Sequence, residues 1–262
     1  MSYFVRNQEF AFGIDLSRYN TSADLTQKPD FGLIAAHQPR VSFIAIRSGV
    51  SWGYRDPMFA VFSRQALAIG ACVMPYHVLY PGESALKQMN NFLRILEGID
   101  LDSVRLALDV ELEHGQTRAI ITNTLLSALE LLEQETGRLP IVYSRALWVD
   151  ANLRVADLPR VDWWLAQYYY RRPFPQYTPE YPCPPRLPKG VDQWLIHQTS
   201  ERGPAIGGAG NYMDYDRWNG TEADVLAYFG RAALVNCPLD GAICPVRSAC
   251  GAEAAQCEAV AA

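Results

Sequence analysis

The chain has 262 residues, 49% of them hydrophobic and 19% charged, and a net charge of −5 at pH 7. This composition is typical of a globular protein, and the negative balance disfavours nucleic-acid binding, which needs a basic surface. No apolar run approaches the ~20 residues of a membrane-spanning helix, so we expect no membrane span. Residues 1–10 lack the apolar segment of a secretory signal and are interpreted as a loose leader.

Strand and helix patterns alternate along the first half of the chain. The strands are predicted at residues 12–17, 41–47, 71–80 and 104–112. The helices that follow them are predicted at about 23–36, 59–69, 84–97 and 117–135. Pro29 lies inside the first of these helices and predicts that it is broken or begins late. Such alternation favours a parallel sheet covered by helices.

The second half contains further strands with less helix between them. These strands are predicted at residues 139–144, 162–169, 194–199 and 211–216, and two helices at 147–153 and 221–229. Seven prolines make residues 171–190 irregular, and the glycines of residues 203–210 predict a flexible loop at the barrel mouth. Eight strands in about 220 residues predict an α/β fold, an irregular TIM-like barrel with five βα units and three further strands.

The fourth strand carries the most distinctive chemistry. Side chains alternate along a strand, so Asp109 and Glu111 share one face while leucines and Val110 share the other. The two acidic residues are about 6.6 Å apart along the backbone, and like charges so close raise the pKa of one of them. A protonated acid beside a carboxylate is the equipment for cleaving a glycosidic bond. The alternative is a strand end whose acidic residues merely face water.

Two further acidic residues fall at the ends of other strands. Asp15 lies near the end of the first strand, and Asp214 lies in the last one. In barrels of this kind the active site lies at the C-terminal ends of the strands, so we expect these two side chains to join Asp109 and Glu111 at one barrel mouth. Acidic residues without a shared function would instead scatter over helix surfaces.

Several short segments follow one another in a fixed order along the chain. They are Gly13–Ser17, Pro75–His77, Leu108–Glu111, Ile141–Ser144, His197–Thr199 and Met213–Asp216. Together they resemble the glycoside hydrolase family 25 lysozymes, which are muramidases of the Chalaropsis type. The resemblance covers about residues 11–229 and implies an irregular barrel. We therefore divide the chain into a leader (1–10), a catalytic barrel (11–232) and a cysteine-rich tail (233–262).

The resemblance implies a role for each acidic residue. Glu111 would be the general acid that protonates the leaving oxygen of the β-1,4 bond between N-acetylmuramic acid and N-acetylglucosamine. Asp109 would hold the N-acetyl group or steady the charge at the anomeric carbon, while Asp15 and Asp214 would line the pocket. Asp216 lies on the same strand face as Asp214, which we match to the aspartate of the family pattern. The spacing leaves retaining, inverting and substrate-assisted outcomes open, and we favour the last.

Aromatic and polar side chains at strand ends complete the predicted site. The substrate-binding candidates are Tyr76, Tyr143, Tyr168, Arg47 and Gln198. Aromatic rings stack on the apolar faces of sugars, although tyrosines are also ordinary core residues. Arg47 is interpreted as an ion-pair partner of Asp15 or Asp109, with a ligand for an acidic substrate group as the alternative. One of Trp163 and Trp164 must face outward, and Trp164 is ranked below the tyrosines.

The six cysteines are unevenly distributed. Cys72 lies in an apolar run and is interpreted as a buried thiol, and Cys183 has no histidine motif around it. Four cysteines lie in the last 26 residues: Cys237, Cys244, Cys250 and Cys257. Their spacing fits no common zinc pattern, so we interpret the tail as a small disulfide-tied appendage or a poorly ordered segment. We expect no metal and no cofactor.

The leading hypothesis is a phage-type endolysin that binds and hydrolyses peptidoglycan glycan strands as a monomer. Without a visible signal peptide, it would reach the cell wall by a phage-type lysis route. A catalytically silent, glycan-binding barrel of a phage particle is one alternative. A barrel hydrolase that acts on chitin-like polymers is the other.

Overall fold

The computed structural model describes residues 10–168, 184–208, 212–231, 234–236 and 243–245. The strands within these ranges are β1 (Phe12–Leu16), β2 (Val41–Val50), β3 (Tyr54–Arg55), β4 (Cys72–Val78), β5 (Ala107–Asp109), β6 (Ile141–Ser144), β7 (Trp163–Ala166), β8 (Ile196–Pro204), β9 (Tyr212–Trp218), β10 (Leu234–Asn236) and β11 (Ile243–Pro245). The helices there are α1 (Phe31–Ala36), α2 (Phe59–Ala68), α3 (Ala85–Ile95), α4 (Arg118–Thr136), α5 (Ala146–Asn152) and α6 (Glu222–Tyr228).

Eight of these strands close into a barrel. Their order is β1-β9-β8-β7-β6-β5-β4-β2, and β2 pairs with β1 to complete the circle. Strand β9 runs antiparallel to β8 and β1, whereas the other neighbouring pairs of the barrel are parallel. Strand β3 pairs with the end of β2, and β10 pairs with β11. The closed α/β barrel that the sequence predicts is therefore confirmed.

Alternation along the barrel strands separates two cores. Outward-facing residues such as Ile14, Leu108 and Val142 pack with the helices in one buried cluster. Inward-facing residues such as Ala107 and Trp164 form a second cluster inside the barrel. Burial of apolar surface on both faces stabilises the strands by about 25 cal/mol per Å². Polar residues replace apolar ones on the inner face near the C-terminal strand ends, which is where the barrel has room for a site.

Helix ends follow the capping residues in the sequence. Helix α4 begins after Thr117, whose side chain accepts from a backbone N–H of the first turn, and ends at Gly137 with φ +68°. Helix α1 begins only at Phe31, because Asp30 caps it by accepting from two backbone N–H groups of its first turn. The predicted start of this helix near residue 23 is therefore wrong. The late start that Pro29 suggests is what the structure shows.

Strands β5 and β8 differ from their predicted bounds. Strand β5 has three residues, so Glu111 lies two positions beyond its end, in a segment that turns at His114 (φ +43°) and Gly115 (φ +68°). Strand β8 continues through Gly203, which the sequence places in a loop. Gly203 fits there because an added Cβ would lie 2.6 Å from the ring of Tyr215 on β9. Close packing between these antiparallel strands extends the pairing beyond the predicted end.

The cysteine-rich tail is described only in part. Cys237, Cys250 and Cys257 lie outside the described residues, as does Cys183, and the Cys244 side chain is not described. The disulfide pairing of the tail and the predicted domain limits therefore stay predictions. Cys72 is a free, buried thiol, as expected. Within the described ranges, none of the helices has both the length and the apolar character needed to cross a membrane.

Candidate active site

A cavity of about 500 Å³ opens at the C-terminal ends of the parallel barrel strands. Its lining includes eight of the nine site residues predicted from the sequence: Asp15, Arg47, Tyr76, Asp109, Glu111, Tyr143, Gln198 and Asp214. The ninth, Tyr168, lies behind the lining and contacts Gln198 through its hydroxyl group. Residues from seven barrel strands and from the segment after β5 thus come together at one place.

Asp15 and Asp214 form a hydrogen-bonded pair on the inner face of β1 and β9. They lie directly opposite each other in the antiparallel register of these strands. Burial and the neighbouring carboxylate of Asp216 raise the pKa of Asp15 well above its usual value. Burial and the carboxylate of Asp15 raise the pKa of Asp214 to about 9. Their hydrogen bond raises the pKa of Asp214 and lowers that of Asp15, so Asp214 is the donor within the pair.

Gln198 connects this pair to two tyrosines. Its Nε2–H group donates to Oδ2 of Asp15 over 2.5 Å. Its Oε1 accepts from the hydroxyl groups of Tyr143, over 2.8 Å, and Tyr168. Because both hydroxyls donate to Oε1, the amide has one orientation, with the nitrogen towards Asp15. The tyrosines therefore help to fix the position of a carboxylate, in addition to any contact that Tyr143 makes with a ligand in the cavity.

Asp109 is the last residue of β5 and is buried. Burial and the neighbouring charge of Glu111 raise the pKa of Asp109 well above its usual value, while Arg47 and Arg145 act in the opposite direction. Oδ1 of Asp109 is buried and has no hydrogen-bond partner among the described residues. Such an oxygen is costly to bury, so a polar group of a bound ligand would stabilise it.

Glu111 has more contact with solvent than Asp15 and Asp109, which are buried. It lies beyond the end of β5, and 28% of its side chain is exposed. Nη2 of Arg145 is 3.1 Å from its Oε2. Sequence reasoning missed Arg145, although the residue directly follows a predicted strand, at the barrel end where the acidic residues were expected.

Arg47 has a different partner from the one predicted. Its Nε and Nη2 atoms are both 2.9 Å from Oδ2 of Asp56, whose side chain is fully buried. The short hairpin of β2 and β3 places Asp56 there, so pairing of Arg47 with Asp15 or Asp109 is wrong. The guanidinium carbon lies 4.8 Å from the ring centroid of Tyr19, in a cation–π contact. Arg47 still lines the cavity, and contact with an acidic substrate group stays a prediction.

Trp164 belongs to the site, although it was ranked below the tyrosines. Its ring packs edge-on against Tyr143, with centroids 4.7 Å apart, and against Tyr76 at 5.8 Å. Its Nε1–H donates to Oδ1 of Asp216 over 2.7 Å, and Asp216 is fully buried. Strand alternation carried the signal, since it places Trp164 and Ala166 on one face, and Trp163 faces the helices. The three rings form an aromatic floor below the acidic residues.

Two tyrosines at the rim were missed. Tyr19 and Tyr212 line the cavity, and they are 70% and 58% exposed. Tyr19 lies in a short 3-10 turn after β1, and Tyr212 begins β9. Neither position shows a strand-end pattern in the sequence, so only the path of the chain around the barrel mouth reveals them.

The chain matches a known protein family over most of its length. The sequence model of Glycosyl hydrolases family 25 matches residues 14–208. The chain belongs to this family. It is therefore a glycoside hydrolase, and the resemblance seen in its short segments is confirmed. The matched range includes Asp15, Asp109, Glu111 and Gln198, and it ends before Asp214 on β9.

Several individual proteins are similar to this chain over most of its length. YegX of Escherichia coli strain K12, described as an uncharacterized protein, is 28% identical over 220 residues, which cover 82% of this chain and 72% of YegX. A bacterial lysozyme from Streptomyces coelicolor superposes with a TM-score of 0.66 at 20% identity, covering 84% of this chain and 97% of that one. A muramidase from Trichobolus zukalii gives 0.65 at 20% identity, with 83% and 97% covered. At these identities the two structures show a shared fold.

The acidic residues of the cavity are engaged with neighbouring side chains. Within the described part of the chain, no three His, Cys, Asp or Glu side chains are arranged to hold a metal ion. Asp15 is engaged with Asp214 and Gln198, and Glu111 with Arg145. The site therefore offers carboxyl groups for proton transfer and for hydrogen bonds to a sugar.

Proposed function

We propose that this family 25 hydrolase cleaves peptidoglycan glycan strands at the β-1,4 bond between N-acetylmuramic acid and N-acetylglucosamine. The observation that carries the proposal is a partly exposed Glu111 beside a buried Asp109, above an aromatic floor. Acidic residues with such different surroundings are suited to separate tasks in glycoside hydrolysis. Family membership and a fold shared with a lysozyme and a muramidase support the choice of polymer.

Glu111 is the proton donor in the proposed reaction. Its proton passes to the glycosidic oxygen as the bond from that oxygen to the anomeric carbon breaks. The side chain must then be protonated, so the Arg145 contact opens when substrate arrives. Because 28% of the Glu111 side chain is exposed, the water molecule of the second step can reach Glu111 and restore its proton.

Asp109 prepares the sugar for cleavage. The acetamido N–H of the substrate donates to the unpartnered Oδ1 of Asp109, and the acetamido oxygen forms the new bond to the anomeric carbon. Water then attacks that carbon, the acetamido oxygen leaves it, and the Glu111 carboxylate takes a proton from the water. Burial raises the pKa of Asp109 and favours its neutral form in the free enzyme. The donated N–H group, together with the positive charges of Arg47 and Arg145, favours the ionised form once the sugar is bound.

The Asp15–Asp214 pair has a supporting role in this proposal. With one proton held in the hydrogen bond between them, the two side chains offer acceptor oxygens to sugar hydroxyl groups. Gln198 and the tyrosines behind it keep Asp15 in place. The pair thus binds the sugar ring that Glu111 and Asp109 act on.

A turbidity assay on purified cell walls tests the proposal. We expect the wild type to clear the suspension and Glu111→Gln to be slower by about 10²–10⁴-fold, the usual contribution of a general acid. Glu113→Gln is the matched control, since Glu113 is exposed in the same segment. Mass spectrometry of the products should show N-acetylmuramic acid at the new reducing ends.

Other outcomes would point to the alternatives. A wild type that binds several cell walls and cleaves none would be a glycan-binding barrel, and the proposal would fail. Release of N-acetylglucosamine oligomers from chitin, with no muramic acid ends from cell walls, would indicate the chitin-like substrate instead.

A further inference from the structure

A second groove adjoins the acidic cavity, and Glu111 lines both. This groove has a volume of about 910 Å³ and runs along α5. We call it the α5 groove and define it by Arg145, Leu147, Trp148, Gln167 and Arg186. A polymer that places its scissile bond at Glu111 would extend from the acidic cavity into this groove.

The two spaces have opposite electrostatic character. The acidic cavity is lined by Asp15, Asp109 and Asp214, whereas the described positive charges of the α5 groove are Arg145 and Arg186. Each of these arginine side chains is 55% exposed. In a chain with a net charge of −5, two arginines beside an active site form a local attraction for anions.

The arginines of the α5 groove are only partly neutralised. One nitrogen of Arg145 contacts Glu111, at 3.1 Å. Nη2 of Arg186 is 3.5 Å from Oδ2 of Asp150, a long and weak pairing. Both guanidinium groups carry five N–H donors, so Arg186 can bind a carboxylate without losing its contact with Asp150. Arg145 can bind one after its contact with Glu111 has opened.

Apart from Gln167 and Asn152, the rest of the α5 groove is mostly apolar. Leu147 is 65% exposed, an unusual state for a leucine, and Leu112, Ala146, Trp148 and Ala151 lie beside it. Sugar hydroxyl groups would find few partners on such a surface. A segment with small apolar side chains and carboxylates would match both the leucine and the arginines.

We propose that the α5 groove binds the anionic peptide that peptidoglycan carries on its muramic acid residues. The inference rests on the proposed function and concerns how the substrate is chosen. The peptide has methyl side chains that pack on Leu147 and carboxylates that pair with Arg186 and Arg145. A carboxylate is repelled by the acidic cavity and attracted by the α5 groove, so the charge pattern orients the strand as well as holding it.

Two substrates separate this inference from the proposed function. One is intact peptidoglycan, and the other is the same material after an amidase has removed its peptides. We expect Arg186→Gln to lower kcat/KM on intact peptidoglycan by about threefold, the worth of an exposed ion pair, and to leave the peptide-free glycan unaffected. Adding Leu147→Ser should increase the loss on intact peptidoglycan to about tenfold. High salt should reduce the effect of Arg186→Gln.

Arg160→Gln is the matched control. Arg160 also forms an exposed ion pair, with Asp192 at 3.3 Å, and it is not part of the α5 groove. The inference is overturned if the groove variants change hydrolysis of both substrates equally, or of neither. In either case the proposed function stands as long as the wild type cleaves the peptide-free glycan. Loss of wild-type activity on both substrates would instead overturn the proposed function.

Discussion

The two pairs of acidic residues at the cavity differ in what surrounds them. Asp15 and Asp214 face each other across two antiparallel strands and are tied to Gln198. Asp109 ends a short strand, and Glu111 lies beyond it with one ion pair to Arg145. The first pair is held by the backbone register of the barrel, whereas the second has few contacts. Oδ1 of Asp109 has no partner among the described residues, and Glu111 is partly exposed. In the proposed reaction, the sugar-binding pair Asp15–Asp214 and the proton donor Glu111 are thus on opposite sides of one cavity.

The contrast has an energetic consequence. Burial raises the pKa of Asp15, Asp109 and Asp214 in the folded state, so folding favours their protonated forms. Their contribution to stability is complete at low pH and falls as pH rises towards the folded pKa. We therefore expect the buried acidic residues to lower stability at neutral pH. We expect substitution of Asp109 to change catalysis and substitution of Asp214 to change stability.

After Glu111→Gln, the largest expected effect is that of Asp109→Asn on catalysis. The substitution preserves size but replaces an anionic acceptor at the substrate with a neutral amide. We expect kcat to fall by about 10²–10³-fold, as for removal of one preorganised electrostatic contact to a transition state. Steady-state hydrolysis of soluble glycan fragments measures it, and KM should change much less than kcat because the buried pair still binds the sugar.

Asp102→Asn is a suitable control for that experiment, because Asp102 is 91% exposed and far from the cavity lining. A rise in KM with kcat unchanged would contradict the proposed role of Asp109 in preparing the acetamido group. It would place Asp109 with Asp15 and Asp214 as a binding residue, and the division between the two sides of the cavity would disappear.

The barrel and the position of its acidic mouth could be predicted from the sequence. Alternation of period two in short apolar runs located all eight barrel strands, and strand ends located Asp15, Asp109 and Asp214. These features depend on local pattern and on a general rule of barrel topology. Alternation in the sequence also continues past the last paired residue of a strand. For this reason β5 was predicted to include Glu111, although its pairing ends at Asp109.

Contacts between distant segments could not be predicted in the same way. Pairing of Arg47 with Asp56 depends on the hairpin of β2 and β3, and the Arg145–Glu111 contact depends on where the chain leaves β5. The proton between Asp15 and Asp214 depends on the register of two strands about 200 residues apart in the sequence. Such pairings are set by tertiary geometry, for which a single sequence has no local signal.

A smaller effect is expected for Asp214→Asn, and it concerns stability. The amide can donate to Asp15 as protonated Asp214 does, but it cannot ionise. Since the pKa of Asp214 is about 9 when folded, the wild type should lose stability between about pH 4 and pH 9. At about pH 5.5, which is one to two units above the pKa of an unfolded Asp, we expect the variant to be more stable by about 1–3 kcal/mol, because one pKa unit corresponds to about 1.4 kcal/mol. Urea unfolding at several pH values measures this difference.

The control for this measurement is Asp192→Asn, which removes an exposed carboxylate elsewhere on the surface. Equal pH dependence in wild type and Asp214→Asn would show that the pair does not share its proton in the folded state. The Asp15–Asp214 pair would then differ from Asp109 and Glu111 in geometry and not in protonation.

The smallest effect is expected for Asp216→Asn, below the aromatic floor. The amide oxygen of Asn can still accept from Trp164. Burial raises the pKa of Asp216, so the neutral acid is already the favoured form in the wild type. We expect kcat/KM to stay within about threefold and the free energy of unfolding at about pH 5 within about 1 kcal/mol. Asp216→Ala should cost about 1–3 kcal/mol instead, because it leaves a buried indole N–H without its acceptor. If Asn is as damaging as Ala, the floor depends on the charge of Asp216, and this residue belongs with the proton-sharing pair.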